Sequence, residues 1–158
     1  MQTVTIYTDG SCLGNPGSGG WAAVLACERK GETVRREIGG GFKRTTNNRM
    51  EILAVIEALS LLKVQCRVEL WTDSQYVAKA IGERWLAGWI RNGWVTSAKK
   101  PVKNRDLWER MPALLERHEV RFHWLKGHAG HAENERCDEI ARGWASKAGL
   151  PEDEGFDG

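Results

Sequence analysis

The sequence contains few cysteines and no long apolar run. The four cysteines, Cys12, Cys27, Cys66 and Cys137, show no C-x-x-C spacing, which argues against a zinc site. No apolar run approaches the roughly 20 residues that a helix needs to cross a bilayer. The first residues also lack the basic and then apolar stretches of a secretory signal. We therefore expect a cytoplasmic protein with free thiols and no membrane partner.

The chain of 158 residues is long enough for a core and too short for two comfortable domains. Its hydrophobic content of 41% and charged content of 28% are typical of a globular protein. We predict a single domain over residues 1–150, and no sequence feature indicates an oligomer. Residues 151–158 are acidic and show no packing pattern, so we expect a flexible tail there.

Acidic residues are missing between Arg84 and Arg105, although this stretch carries six basic ones. Removing these six from the 23 basic residues leaves 17 against 21 acidic residues, so the remainder carries a net charge of −4. Such asymmetry favours a polyanionic partner, and nucleic acid is the obvious one. Three tryptophans in the same stretch could fill a core, but among cations we favour stacking on sugars or bases. They are Trp85, Trp89 and Trp94.

Three strands are predicted at the start of the chain, at residues 3–9, about 20–28 and about 34–42. Short connections between them indicate antiparallel pairing. Residues 10–20, between the first two strands, are rich in glycine and other turn-forming residues. We expect this segment to break regular structure.

The next elements predict a change from antiparallel to parallel pairing. Residues 45–48, Thr-Thr-Asn-Asn, are typical of a helix start, and Glu51 follows in the early helix. A fourth strand is predicted at residues 67–73. Because a strand–helix–strand connection favours parallel neighbours, Asp9 and Asp73 should lie at corresponding ends of adjacent strands. Open α/β sheets bind ligands at that end.

Asp9 ends the first strand beside the glycine-rich segment, and two interpretations of it are open. A buried carboxylate without a partner is destabilising by several kcal/mol, so a positive partner such as a metal ion would explain it. Alternatively, Asp9 caps a turn. The first strand alone does not decide between them.

The remaining elements are predicted from the same signals. Residues 74–82 form a short helix, and Trp85 and Trp89 share one face of the next helix because they are four residues apart. Asn104 caps a further helix, in which Pro112 predicts a kink or an early break. A fifth strand at residues 119–125 and a last helix at about residues 133–147 complete the domain.

Four motifs together resemble bacterial type-1 ribonuclease H over about residues 3–147. They are Thr8-Asp-Gly-Ser, Thr46-Asn-Asn-Arg-Met-Glu51, Thr72-Asp-Ser-Gln and Lys126-Gly-His-Ala-Gly-His-Ala-Glu-Asn-Glu-Arg-Cys-Asp138. The resemblance implies an α/β ribonuclease H-like fold. In its five-stranded mixed sheet the first three strands would be antiparallel to one another, and strands 1, 4 and 5 would be parallel. Helices would flank the sheet, and a basic handle would lie at about residues 83–105.

The resemblance also implies an endonuclease that cleaves the RNA strand of RNA–DNA hybrids into 5′-phosphate and 3′-hydroxyl ends. Its catalytic and metal-binding carboxylates would be Asp9, Glu51, Asp73 and Asp138, and His128 would be the histidine of a mobile loop. The implied minor-groove contacts are Asn15, Asn47, Asn48 and Gln75. Arg44, Thr46 and Asn104 would hold a DNA phosphate. Handle contacts with the DNA strand would come from Trp85, Trp89, Lys99 and Lys100.

The chemistry of the four acids is consistent with phosphodiester hydrolysis. Two divalent ions can activate water and relieve charge on the leaving oxygen, and carboxylates suit Mg²⁺, with Mn²⁺ as an alternative. Two other classes of function stay open at this point. One is a catalytically dead nucleic-acid-binding module, but the complete set of four acids argues against it. The other is an integrase-like or resolvase-like DNA nuclease, against which the handle and the Asn and Gln residues weigh.

Overall fold

A computed structural model describes residues 1–127 and 130–157 of the chain. Its centre is one five-stranded sheet with the strand order β3-β2-β1-β4-β5. The strands are β1 (Gln2–Leu13), β2 (Gly17–Arg29), β3 (Glu32–Thr45), β4 (Cys66–Thr72) and β5 (Glu119–Trp124). The first three pair antiparallel, and β4 lies parallel to both β1 and β5. The predicted mixed sheet is confirmed.

Six helices accompany the sheet in the described part of the chain. They are α1 (Asn47–Leu61), α2 (Gln75–Gly82), α3 (Trp85–Arg91), α4 (Arg105–Trp108), α5 (Met111–Arg117) and α6 (Ala132–Ala145). Helix α1 packs on β1 and β2, and α6 packs on β1, β2 and β3. Buried aliphatic residues of α1 and of the central strands form the main core, together with Trp108. None of the described helices combines the length and the apolarity that crossing a membrane requires.

The first two strands continue through the segment that we expected to be irregular. Gly10 pairs with Trp21, Ser11 with Gly20 and Cys12 with Gly19, so only residues 14–16 form the turn. The expectation of an irregular segment at residues 10–20 is therefore wrong for most of it. Close packing explains the glycines, since a Cβ on Gly20 would overlap the carbonyl oxygen of Ala141 in α6. These glycines allow a helix to approach the sheet closely instead of interrupting the strands.

The helix predicted after Asn104 is divided into α4 and α5, as Pro112 indicates. Pro112 lies in the first turn of α5, where its missing N–H would have no helical partner. The predicted cap is wrong, because Asn104 has a left-handed backbone (φ 61°) and its side chain makes no capping bond. That side chain instead donates to the hydroxyl of Tyr76 at 3.3 Å and accepts from Arg49 at 3.4 Å.

The C-terminal residues make specific contacts with the body of the protein, although their composition predicts a flexible tail. The Pro151 carbonyl accepts from the Lys43 backbone N–H at 2.8 Å. The Asp153 side chain, which is 10% exposed, binds the buried guanidinium of Arg49 at 2.7 Å. A buried arginine requires anionic partners, and Asp153 is one of those of Arg49. The apolar periodicity of α1 gives no sign that Arg49 is buried. The four cysteines are free thiols, as predicted.

Candidate active site

Three elements bring three of the predicted carboxylates together. Asp9 lies on the central strand β1, Glu51 lies in the second turn of α1, and Asp73 directly follows β4. One oxygen from each lies within 4.8 Å of the other two. Asp9 is 4% exposed and Glu51 is 5% exposed, while Asp73 is half-buried. The parallel pairing of Thr8 with Thr72 places Asp9 and Asp73 side by side, as the strand pattern predicts.

Asp138 reaches the same cleft from α6. It lines the cavity of about 480 Å³ that also contains Asp9, Glu51 and Asp73. One of its oxygens accepts from Arg142, one helical turn later, at 2.8 Å. The structure therefore places all four predicted acids in one cleft, with Asp138 at its edge and partly neutralised by its neighbour.

Gly10 explains how α1 can come so close to β1. A Cβ at this position would lie 2.6 Å from the backbone nitrogen of Glu51, which real Cβ atoms do not tolerate. The Gly10 N–H donates to Asp9 at 2.9 Å and to Glu51 at 3.0 Å. One backbone donor thus orients two carboxylates, and the sequence Asp-Gly is required for packing as well as for chemistry.

Burial and mutual repulsion raise the pKa values of two acids in the cleft. Burial and the neighbouring carboxylate of Asp73 raise the pKa of Asp9 from 3.8 to about 8. Burial, Asp9 and Asp73 also raise the pKa of Glu51 well above its ordinary value. Without a cation, the pair therefore retains protons at neutral pH, in agreement with the strain expected from clustered acids.

The donor set fits a divalent cation. Glu51 has a buried oxygen, Oε2, that finds no hydrogen-bond partner among the described residues. A buried polar atom without a partner is costly, and a hard cation would satisfy it. Three carboxylate oxygens within 4.8 Å of one another are a suitable arrangement for such an ion.

Three of the four residues implied for the minor groove line the acidic cleft, and the fourth is bonded to one of them. Asn47, Asn48 and Gln75 line the acidic cleft, each at the start of a helix. Asn15 lies in the turn between β1 and β2, and its side-chain oxygen accepts from the Asn47 backbone N–H at 3.1 Å. Helix starts with amide side chains thus lie along one edge of the acid cluster.

A second pocket adjoins this edge and contains two of the residues implied for a DNA phosphate. Thr46 and Asn104 line this cavity of about 650 Å³, as does Asn48. Thr46 is also the cap of α1, where its hydroxyl accepts from the Arg49 backbone N–H at 3.2 Å. Arg44 lies at the end of β3 and its guanidinium is over the ring of Phe156, 5.9 Å from the centroid. Arg44 lines a separate cavity with Asp153 and Phe156. We call the cavity lined by Thr46 and Asn104, together with Arg44, the phosphate pocket, after the contact that the resemblance implies.

The handle divides its tryptophans between surface and core. Trp85 is 37% exposed, whereas Trp89 and Trp94 pack against the core. Trp89 contacts Trp108 edge to face, with ring centroids 5.7 Å apart. The core interpretation therefore applies in part to Trp89 and Trp94. Lys99 and Lys100 are exposed beyond them.

Two residues beside the site escaped prediction, and one predicted residue cannot be placed. Tyr76 accepts from Asn104 and from Trp108, and Trp124 donates to the Asp73 carbonyl oxygen at 3.2 Å. No spacing rule finds Tyr76, because its partners are 28 and 32 residues away. Trp124 had a signal, since the strand pattern puts it next to the motif that begins at Lys126. His128 lies outside the described residues.

Comparison with known proteins gives consistent matches along the chain. The RNase H family model matches residues 1–146. A ribonuclease H from Nitratidesulfovibrio vulgaris (strain DSM 19637 / Miyazaki F) is 66% identical over 156 residues, covering 99% of this chain and 97% of that relative. A ribonuclease H from Pseudoalteromonas atlantica is 55% identical over 158 residues and covers 100% of both chains.

Solved structures agree with these matches. LC9-RNase H1, a type 1 RNase H with the type 2 active-site motif, has a TM-score of 0.82 at 34% identity, over 92% of this chain and 72% of that one. LC11-RNase H1, solved in complex with an RNA/DNA hybrid, has a TM-score of 0.65 at 26% identity, over 89% and 94% of the two chains. The extent of the family match and the identity to these relatives show that the chain belongs to the ribonuclease H family.

Proposed function

We propose that this ribonuclease H hydrolyses the RNA strand of RNA–DNA hybrids at the acidic cleft, leaving 5′-phosphate and 3′-hydroxyl ends. The observation that carries the proposal is the convergence of three carboxylates within 4.8 Å, with a buried oxygen of Glu51 that lacks a partner. Mg²⁺ is the proposed cofactor because hard oxygen ligands suit it, and Mn²⁺ would fit the same ligands. The proposed ligands are Asp9, Glu51, Asp73 and Asp138.

Divalent ions held by these carboxylates would supply an activated water and charge relief for the leaving 3′ oxygen. The protein contributes fixed ligands, because Asp9 is on the central strand and Gly10 holds Glu51 by a backbone bond. The indole N–H of Trp124 fixes the backbone at Asp73, because it donates to the Asp73 carbonyl oxygen. His128 lies outside the described residues, and we propose from the resemblance alone that its imidazole moves protons or helps products leave.

Specificity for a hybrid requires recognition of one RNA strand and one DNA strand. Amide side chains can both donate to and accept from 2′-hydroxyls in the shallow minor groove. Asn47, Asn48 and Gln75 line the acidic cleft, which supports this role for them. The phosphate pocket would hold the DNA strand. Such contacts ignore base identity, so we expect little sequence preference. The handle's cations would strengthen binding through phosphates.

Matched labelled duplexes test the proposed reaction. A hybrid, a double-stranded RNA and a double-stranded DNA of one sequence are incubated with the protein, with Mg²⁺ or with EDTA. We expect Mg²⁺-dependent cleavage of the hybrid's RNA strand alone. Equal cleavage of DNA would favour the DNA nuclease, and binding without cleavage would favour the dead module.

Amide substitutions test the proposed ligands. Asp9→Asn and Asp73→Asn keep the size of each side chain and remove its charge, so each should abolish cleavage while hybrid binding survives. Glu116→Gln is the matched control, because Glu116 is exposed and outside the cleft. Undiminished turnover in either aspartate variant would refute the assigned role. A monomeric state and a cytoplasmic location stay predictions.

A further inference from the structure

The C-terminal segment, defined here as residues 151–157, forms one wall of the phosphate pocket. Phe156 and Asp157 line the same cavity as Thr46 and Asn104. We propose that this segment positions the pocket for the DNA phosphate. The inference rests on the proposed function, because the DNA phosphate enters the argument only there.

Asp153 is the centre of the segment's contacts. Its carboxylate accepts from Arg49 Nε at 2.7 Å, from Arg49 Nη2 at 3.1 Å and from the Thr45 hydroxyl at 2.6 Å. Charge-assisted bonds of this kind are the strongest that side chains make. Since Thr45 is fully buried and Arg49 is 3% exposed on its side chain, solvent screens these bonds little.

The bonds of Asp153 lie on both sides of Thr46. Thr45 precedes it in the chain, and Arg49 is the residue whose backbone N–H the Thr46 hydroxyl caps. Arg49 also donates to the Asn104 side chain at 3.4 Å and to Asp106 at 2.8 Å. Arg49 therefore connects three features, because its guanidinium binds the segment and the end of the handle while its backbone N–H binds the cap of α1. Asp153 and Asp106 together hold that guanidinium in place.

The third phosphate residue meets the segment through an aromatic ring. Arg44 lies over Phe156, and the Phe156 backbone N–H donates to the Asp153 carbonyl oxygen at 3.1 Å. A ring under a guanidinium limits the orientations that the guanidinium can adopt. The short turn between Asp153 and Phe156 thus joins the ring that contacts Arg44 to the carboxylate that binds the residues around Thr46.

A competing effect predicts the opposite result. Asp153 is an anion near a proposed anion site, so its removal would favour phosphate binding if charge alone mattered. Positioning predicts weaker binding when Asp153 is lost. The sign of the change therefore separates a positioning residue from an electrostatic one.

The first experiment compares the steady-state kinetics of Asp153→Ala with those of Glu152→Gln. Both remove one negative charge from the same segment, but within the described part of the chain the one ion pair of Glu152 is an exposed contact with Lys43. We expect Asp153→Ala to raise KM roughly tenfold, the equivalent of one hydrogen bond to a charged group, with kcat within about twofold. Glu152→Gln should leave KM within about twofold. A lower KM for Asp153→Ala would overturn the proposal in favour of the charge effect.

The second experiment tests whether the segment acts on a DNA phosphate. A set of hybrids carries a single uncharged methylphosphonate at successive positions of the DNA strand. The wild type should lose affinity at one position, and Asp153→Ala should lose much less there, because the two changes remove the same interaction. Equal losses in both proteins would show a structural role only, and would overturn the inference.

Phe156→Leu gives a test that does not disturb the buried ion pair. It keeps an apolar side chain and removes the ring under Arg44, so we expect a higher KM and the same reduced sensitivity to that methylphosphonate. Unchanged KM and unchanged sensitivity would exclude the role of the ring. If no methylphosphonate weakens the wild type, the assigned phosphate pocket itself is wrong, whereas cleavage of the hybrid stands independently.

Discussion

Asp9→Asn should stabilise the metal-free protein while it abolishes cleavage. The asparagine keeps the oxygen that accepts from Gly10 and removes the charge that the cleft repels. Asp9 holds its proton in the native state up to about pH 8, whereas an ordinary aspartate releases it near 3.8. Between these values the native state binds more protons than the unfolded state, so the free energy of unfolding falls as pH rises.

The size of the effect follows from the same shift. Each pKa unit corresponds to about 1.4 kcal/mol, so the shift to about 8 destabilises the metal-free native state by up to about 5–6 kcal/mol at pH 8.5. At pH 5 this destabilisation is only about 1.5 kcal/mol, because pH 5 is only slightly above the pKa of an ordinary aspartate. Glu51 titrates with Asp9, so a single substitution should recover part of this total. We expect a gain of at least about 2 kcal/mol more at pH 8.5 than at pH 5.

Urea unfolding followed by far-UV circular dichroism in EDTA measures this difference. The wild type and Asp9→Asn are compared at pH 5, 6.5 and 8.5, with Glu116→Gln as the control for loss of one exposed charge. The control should change stability by less than about 0.5 kcal/mol throughout. Equal gains for Asp9→Asn at pH 5 and pH 8.5 would refute the argument that burial and repulsion strain the site.

Four further predictions test the site and its surroundings. Mg²⁺ at a hundredfold excess over its Kd should raise the free energy of unfolding by about 2.7 kcal/mol in urea titrations, and Asp9→Asn should remove that rise. Gly10→Ala should destabilise the protein by about 1–3 kcal/mol in thermal melts, because its Cβ would meet the Glu51 backbone; an unchanged melting temperature would contradict this. Arg49 lowers the pKa of Asp106, so this acid stabilises the fold above its ordinary value of 3.8 and loses that contribution as pH falls through its lower native pKa. Asp106→Asn should therefore flatten the acid limb of the stability curve, and an unaltered limb would count against it. Neutralising Lys99, Lys100 and Lys103 should raise KM, spare kcat and flatten the salt dependence of hybrid binding, whereas an unchanged KM would show a merely solvated face.

The sequence predicts the sheet and the acid cluster because both depend on local rules that agree. Alternation in β1 and β4 gives two strands, and the intervening helix makes them parallel neighbours. The shared Thr-Asp endings then place Asp9 and Asp73 together. Glu51 lies early in the helix predicted to start at residues 45–48, and the structure shows Thr46 as its cap. The place of Glu51 and Asp138 in the cluster, in contrast, was implied only by the resemblance.

The remaining features depend on contacts between distant residues, which no local rule contains. The glycines of residues 10–20 indicate a loop locally, but α1 and α6 need their lack of side chains in order to pack on paired strands. The C-terminal segment looks solvated by composition, yet Asp153 meets Arg49 across 104 residues of chain. The handle tryptophans look alike in sequence, and the contact of Trp89 with Trp108 in another helix is one that no local rule contains.

The position of the acids in the fold explains why a strained cluster is compatible with a stable protein. Asp9 lies on β1, which pairs with β2 and β4 and is covered by α1 and α6. The central strand cannot move to separate the charges without disrupting both helices and both neighbouring strands. Repulsion is therefore relieved by proton uptake, and the ligands stay in place. A cation entering the cleft displaces protons from a preformed site, so its binding should depend steeply on pH below about 8.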